Sequence, residues 1–399
     1  SSNPRPMRTR RTLLASGVAG LVGLAGCAGE PANPDDGDRG STGEAESGDG
    51  GSGASDDDSD GADERDATRI GFVGDLMLGR SVNERWADAD GGAEKVWGST
   101  LSRLEELDGL VGNLECCVSD RGTRWPDKGY YFRSDPDFAV PALEAAGASF
   151  VSLANNHVLD YSEPALRDTD SHLTDAGIAH AGAGTDRDAA LEPAAFEAGD
   201  LTVAAFGLTD QAKEFAASES GPGTAFATLD PSVSATRSLV EEILDRAEAH
   251  DPDLVVASLH WGPNWETEPG AVHERFGRWL VEQGVDVVHG HSAHVLQGVE
   301  VYQGCPIIYD AADFVDDYIS YQDREGVRNK RSALFELVVR DGALDELVVE
   351  PIEIVDETAT LADDEVAEWV RNTLAERSAA FDTAIERDDD RLAFPLGAE

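Results

Sequence analysis

Basic residues are scarce in this chain: 31 Lys and Arg stand against 79 Asp and Glu, a formal net charge of −48 over 399 residues. A polyanion of this kind repels nucleic acid and anionic lipid, which excludes both as partners recognised through charge. The acid excess is not confined to one tail. It includes Asp313, Asp316 and Asp317, and again Asp363, Asp364, Glu365 and Glu368. That distribution suits concentrated salt, where charge repulsion reaches only about 3 Å at 1 M, and it points to a salt-loving microbial source; acid kept for solubility alone is the bland alternative. Cysteine is as sparse. Cys116, Cys117 and Cys305 lack the paired spacing of a zinc knuckle, and two adjacent cysteines cannot easily bridge each other, so they read as small core residues. A Cys305 bridge finds no support. The apolar run Leu13–Ala25 is shorter than the roughly 20 residues that cross a bilayer. What is present is enough for a folded domain: 41% hydrophobic residues can build a sizeable core.

The first 27 residues read as an address. Met7-Arg8-Thr9-Arg10-Arg11 places an arginine pair before the short apolar run, the pattern of a twin-arginine export signal. Leu24-Ala25-Gly26-Cys27 is similar to a lipobox, whose cysteine becomes the lipid anchor. Residues 28–68 are Gly, Ser, Asp and Glu with almost no large apolar side chain, too little to offset the entropy of ordering. They read as a flexible, charge-stretched tether holding the domain outside the membrane.

From residue 69 short apolar strands recur: Ile70–Asp75, Gly109–Asn113, Ser149–Leu153, Leu201–Gly207, Leu254–Leu259, Val285–His289 and Pro306–Tyr309. Amphipathic stretches lie between them at 101–107, 138–146, 164–176, 232–249 and 272–283. Strands alternating with helices predict an α/β layered domain over 69–320. Beyond it, two strand-like runs flank Asp341-Gly342, a hairpin signal, and 364–387 reads as a helix, so residues 321–399 are expected to complete that domain.

Most strands end in chemically capable residues. Ligands of layered α/β folds bind beyond the carboxyl ends of strands. Asp75, the Asn113-Leu114-Glu115 segment, Asn155-Asn156-His157, His260 and the histidines His289, His291 and His294 are therefore expected at one rim. Carboxylate, amide oxygen and imidazole together suit Mn, Fe or Zn. Each has a plainer reading. Asp75 could cap a turn, Glu115 could be a surface acid, Asn156 could close an Asx turn, and His260 could be a satisfied core histidine.

In series, Gly74-Asp75-Leu76-Met77-Leu78-Gly79-Arg80, Asn113-Leu114-Glu115, Leu153–Asp160, Leu259-His260-Trp261-Gly262 and Gly290–Gly298 resemble the capsule-synthesis CapA family of the calcineurin-like metallophosphoesterases. The resemblance covers about Ile70 to Asp313. It implies two packed mixed β-sheets flanked by helices, one or two divalent ions, and a role in capsule or poly-γ-glutamate assembly. It implies metal ligation by Asp75, Glu115 (as the bridging acid), Asn156, His260, His291 and His294. His157 takes the place of the phosphate-facing histidine, a candidate general acid. Asp160 is expected to orient it, and Arg80 to steer an anionic group. Lys128, Tyr131 and Arg133 could receive a carboxylate or phosphate, and Trp261 and Trp265 could line the pocket. His289 reads as packed, and His172, His180, His250 and His273 as surface residues. Three departures stand out: Met77 where the usual motif has histidine, glutamate as the bridging acid, and closing histidines three apart. Two functions follow. One is metal-assisted hydrolysis or transfer at a phosphate ester or polymer amide. The other is a non-catalytic accessory, or a binding lipoprotein, that holds an anionic surface polymer.

Overall fold

The structure is a computed structural model that describes residues 67–321, 326–388 and 390–397. The export signal, the Cys27 anchor and the tether up to residue 66 lie outside the described residues. Among the described residues no helix is long and apolar enough to cross a membrane.

Two mixed sheets pack face to face. The first runs Glu386–Arg387, Leu392–Pro395, Ala343–Ile354, Arg331–Arg340, Ala67–Leu76, Gly109–Leu114, Ala148–Ser152, Ala179–Ala181. Its parallel half joins Ala67–Leu76, Gly109–Leu114 and Ala148–Ser152, and its antiparallel half is the C-terminal hairpin, which pairs directly with Ala67–Leu76. The second runs Val299–Tyr302, Cys305–Ile308, Val287–His291, Leu254–His260, Leu201–Thr209, Ala194–Ala198. This is the α/β sandwich the sequence predicts, and the hairpin completes the first sheet.

Period-two alternation assigns each strand residue to a layer. Ile70, Phe72, Val111, Phe150, Phe335 and Leu337 meet Val203, Ala205, Val256, Val287 and Ile308 between the sheets. Val73, Leu76 and Val151 face the other way, against Phe138, Leu143 and Leu166 of helices Pro136–Ala145 and Ser162–Asp175. Phe206, Val255, Ala257 and Val288 likewise pack on Val240, Phe276 and Leu280 of helices Ser234–Ala247 and Ala271–Glu282. The helices start where the sequence signals them. Asp135 caps the first through Asp137 N (2.9 Å) with Pro136 at its opening position, and Asp363 caps Asp364–Ser378 through Val366 N (2.9 Å). That last helix stops at Ser378, short of the expected 387, and the chain returns as strands Glu386–Arg387 and Leu392–Pro395.

Among the described residues the cysteines sit in the interior. Cys116 and Cys117 are buried free thiols, and Cys305 is buried as well.

Candidate metal centre

At one end of the interior the same inner-face positions turn polar. Along Leu254–His260 the inner residues run Leu254, Val256, Ser258, His260; along Val287–His291 they run Val287, His289, His291. From the first sheet come Asn113, two residues after Val111, and Asp75. Strict alternation would turn Asp75 outward, since Phe72 faces inward. A bulge prevents it. Phe72 pairs with Val111 and Asp75 with Asn113, so three steps on one strand oppose two on the other. Gly74 permits the bulge, because a Cβ there would lie 1.6 Å from the Ala312 carbonyl oxygen of the crossing segment. Asp75 N donates to that carbonyl (3.0 Å), and strand Asp313–Val315 then runs parallel to Asp75-Leu76 with Asp313 beside Asp75.

Among the described residues two groups of ligand atoms result, both containing Asp75 and all buried: Asp75, His260 and His291; and Asp75, Glu115, His294 and Asp313. In the first, Asp75 Oδ1 lies 3.5 Å from His291 Nδ1 and 3.9 Å from His260 Nδ1, and the two imidazole nitrogens are 3.0 Å apart. In the second, His294 Nδ1 lies 3.1 Å from Asp75 Oδ2, 2.8 Å from Asp313 Oδ1 and 3.9 Å from Glu115 Oε2. His294 and Ser292 both adopt positive φ (58° and 109°), conformations costly for side chains other than glycine. The loop is held there by Asp310, whose carboxylate accepts from Ala293 N (2.6 Å) and Ala312 N (2.9 Å).

The asparagines are oriented as a chain. Asn155 Oδ1 accepts from His157 N and Val158 N, both 3.0 Å, which turns its amide nitrogen to Asn113 Oδ1 (3.1 Å). Asn113 Nδ2 is thereby aimed at Asp75 Oδ1 (2.7 Å) and His260 Nδ1 (3.3 Å). His260 Nε2 faces Asn156 Oδ1 at 3.1 Å.

Charge is poorly compensated here. Burial would raise Asp75, but the closely placed His294, with the charges of His291 and His260, holds it below the usual carboxylate range. Burial and the neighbouring Asp75 push Glu115 well above it. Burial lowers His260 to about 3 and holds His291 well below the ordinary imidazole value. Burial also opposes a charge on His294, but Asp313, Tyr318 and Glu115 outweigh it and raise that imidazole. Asp75 Oδ2, both Glu115 oxygens and Asp313 Oδ2 are buried and accept no hydrogen bond. An orphaned buried polar atom costs about 1–3 kcal/mol. A nest of unmatched carboxylate oxygens beside three imidazole nitrogens is what a divalent cation would satisfy, and carboxylate with imidazole suits Mn, Fe or Zn.

Residues 69–318 match the family described as Bacterial capsule synthesis protein PGA_cap. The chain belongs to that family. It is 32% identical to a probable polyglutamine synthesis accessory protein of Mycobacterium tuberculosis over 82% of this chain and 86% of the relative. It is 26% identical to the PGA biosynthesis protein CapA of Bacillus subtilis (83% of each). Against the capsule biosynthesis protein CapA of Bacillus anthracis it is 29% identical (73% of this chain, 68% of the relative). The family match contains every residue of both ligand groups and ends before the hairpin that widens the first sheet.

Of the ligands that the capsule-family resemblance implies, Asp75, Glu115, His260, His291 and His294 come together, and Asn156 reaches the cluster at His260. The carboxylate common to both groups is Asp75 rather than Glu115. His157 lies at the cluster's edge, its Nε2 3.9 Å from Glu115 Oε1, and its Nδ1 is 2.6 Å from Asp160 Oδ2. Phe132 stacks on its ring at 3.9 Å. Lys128 pairs with Asp160 and the Asn156 carbonyl, so it braces His157 instead of awaiting an anion. Arg80 is bound to Asp317 and lies 4.3 Å over Phe132, outside both ligand groups. Arg133 stacks on Tyr161, and the Tyr131 hydroxyl donates to the Trp125 carbonyl. Trp265 flanks His294 at 5.3 Å, whereas Trp261 is buried in the outer core and donates to the Tyr309 carbonyl. His273, expected on the surface, is buried against Trp261 and Asp210, because its helix lies on the sheet.

Asp313 is the ligand that the sequence reading passed over. Met77 is buried in the outer core, whereas Asp313 joins the second group. Its signal was weak. It stands in an acidic run that reads as part of the general acid excess, and its strand is only three residues long.

Proposed function

We propose that this protein is an exported, lipid-anchored accessory of capsule or poly-γ-glutamate assembly, working at the outer face of the cell membrane with a calcineurin-like metallophosphoesterase site. The observation that carries the chemical part is the convergence of orphaned carboxylate oxygens and imidazole nitrogens in two groups that share Asp75. Asp75, His260 and His291, with Asn156 beside them, would hold one divalent ion; Asp75, Glu115, His294 and Asp313 would hold a second. Such ions supply Lewis acidity to a phosphoryl or acyl oxygen. The chain does the rest. Asp160 accepts the His157 Nδ1 proton, so the opposite nitrogen faces the cluster with its lone pair free to exchange a proton with a bound substrate. Trp265 and Tyr318 pack beside His294, and Tyr321 stands edge-to-face against Trp265. The reaction favoured is hydrolysis or transfer at a phosphate ester or a polymer amide bond.

The test is elemental analysis of the purified protein at high salt, after reloading with Mn, Fe or Zn, followed by a phosphodiester assay. One or two bound ions are expected, with loss of metal in His260→Ala and His291→Ala and retention of the folded state. Normal metal content in both variants defeats the ligand assignment. A second reading, a non-catalytic holder of an anionic polymer, draws support from the accessory role in the name of the Mycobacterium tuberculosis relative. Bound metal without turnover of either substrate type would favour it.

A further inference from the structure

Behind the centre, three polar side chains form a line that no metal contact requires. His289 Nε2 lies 2.9 Å from the Val73 carbonyl oxygen, His289 Nδ1 lies 3.2 Å from Ser258 Oγ, and Ser258 Oγ lies 3.0 Å from His291 Nε2. All three side chains are fully buried, so each hydrogen-bonding group must find its partner within the line. The chemistry then permits one arrangement. A carbonyl only accepts, so His289 carries its proton on Nε2. Its Nδ1 is therefore an acceptor, and the single hydroxyl proton of Ser258 goes to it. The serine oxygen is left to accept from His291, which must carry its proton on Nε2. The opposite nitrogen of His291, Nδ1, is left as a lone pair, and it is the atom that faces Asp75 and His260.

We infer that Ser258 and His289 are positioning residues that fix His291 as its Nε2–H tautomer and so present Nδ1 as the coordinating atom. The chain begins at the Val73 carbonyl of the first sheet and ends at a ligand of the second, so the register between the sheets is transmitted to the imidazole. Partners of this kind, which hold the far nitrogen of a ligating histidine, are worth about 10–100-fold in metal affinity. The metal-ligand half of the inference rests on the proposed function; the tautomer half does not.

The decisive measurement uses the metal-free full-length protein, with long-range proton–nitrogen NMR of its histidine rings. His289 and His291 are both expected to be protonated on Nε2, and Ser258→Ala should release that preference at His291. A wild-type His291 protonated on Nδ1 overturns the inference whatever the metal content. The second measurement is titration with Zn2+ or Mn2+. Ser258→Ala, which removes one buried oxygen and little volume, should weaken binding about 10–100-fold, and Ser258→Thr, which restores the hydroxyl, should recover most of it. Unchanged affinity in Ser258→Ala also overturns the inference. A wild-type protein that shows the expected tautomer yet binds neither ion refutes the metal centre and leaves the relay standing.

Discussion

The two ends of the space between the sheets are built from the same strands and the same inner-face positions, yet they are held together differently. At one end Phe72, Val111, Val256 and Val287 interdigitate; a few residues further along those strands stand Asp75, Asn113, His260 and His291. The apolar end is stabilised by what it removes from water, at about 25 cal/mol per Å². The polar end is desolvated as completely but leaves carboxylate oxygens without partners. Burial therefore stabilises one end and is a cost at the other, a cost that a bound cation would offset.

The sharpest way to break this comparison is to damage the apolar end alone. Phe335→Ala, at a fully buried position between the sheets, should cost about 3–5 kcal/mol in denaturant unfolding with metal stoichiometry unchanged. Next comes metal itself. At a free concentration 100 times the dissociation constant, a single ion should stabilise the wild type by about 2.7 kcal/mol, and Asp75→Asn should gain nothing in the same thermal or denaturant experiment. Third, the metal-free polar end should improve when its orphan is removed. Glu115→Leu should leave the apo protein as stable as wild type or about 1–3 kcal/mol more stable, while abolishing the gain from the second ion. An apo variant that is less stable would show that Glu115 is satisfied without metal.

The smallest effect lies outside the interior. The Arg121 hydrogen bond, helped by Ser119, holds Asp168 below its ordinary value, although its desolvation acts the other way. A lowered carboxylate contributes stability above its unfolded value, and that contribution is lost as pH falls through the folded one. Wild type should therefore lose more denaturant resistance than Asp168→Asn between about pH 5 and pH 3. Solvent screening keeps the difference small.

Much of the centre was legible because strands announce both their face and their end. His260 closes an apolar run on the face set by Val256, and the Asn-Asn-His and Gly-His segments follow strands in the same way. Three things were not legible. Asp75 faces inward only through the bulge at Gly74, which depends on the approach of Ala312 from a segment more than two hundred residues away. Asp313 gained its place from that same crossing. Ser258 looked like an ordinary strand residue, and its hydroxyl matters only because His289 and His291 lie on the neighbouring strand, with Val73 across the interface.

By itself the sequence determined the alternation of strands and helices, the layer of the strand residues that keep strict alternation, and the kinds of atom offered at the strand ends, because these follow from local periodicity and side-chain chemistry. Tertiary structure alone decided which carboxylate is common to both groups, that Asp313 joins the second group, and which nitrogen of His291 points inward. Those choices depend on sub-ångström relations between strands distant in the chain, and no local pattern encodes them.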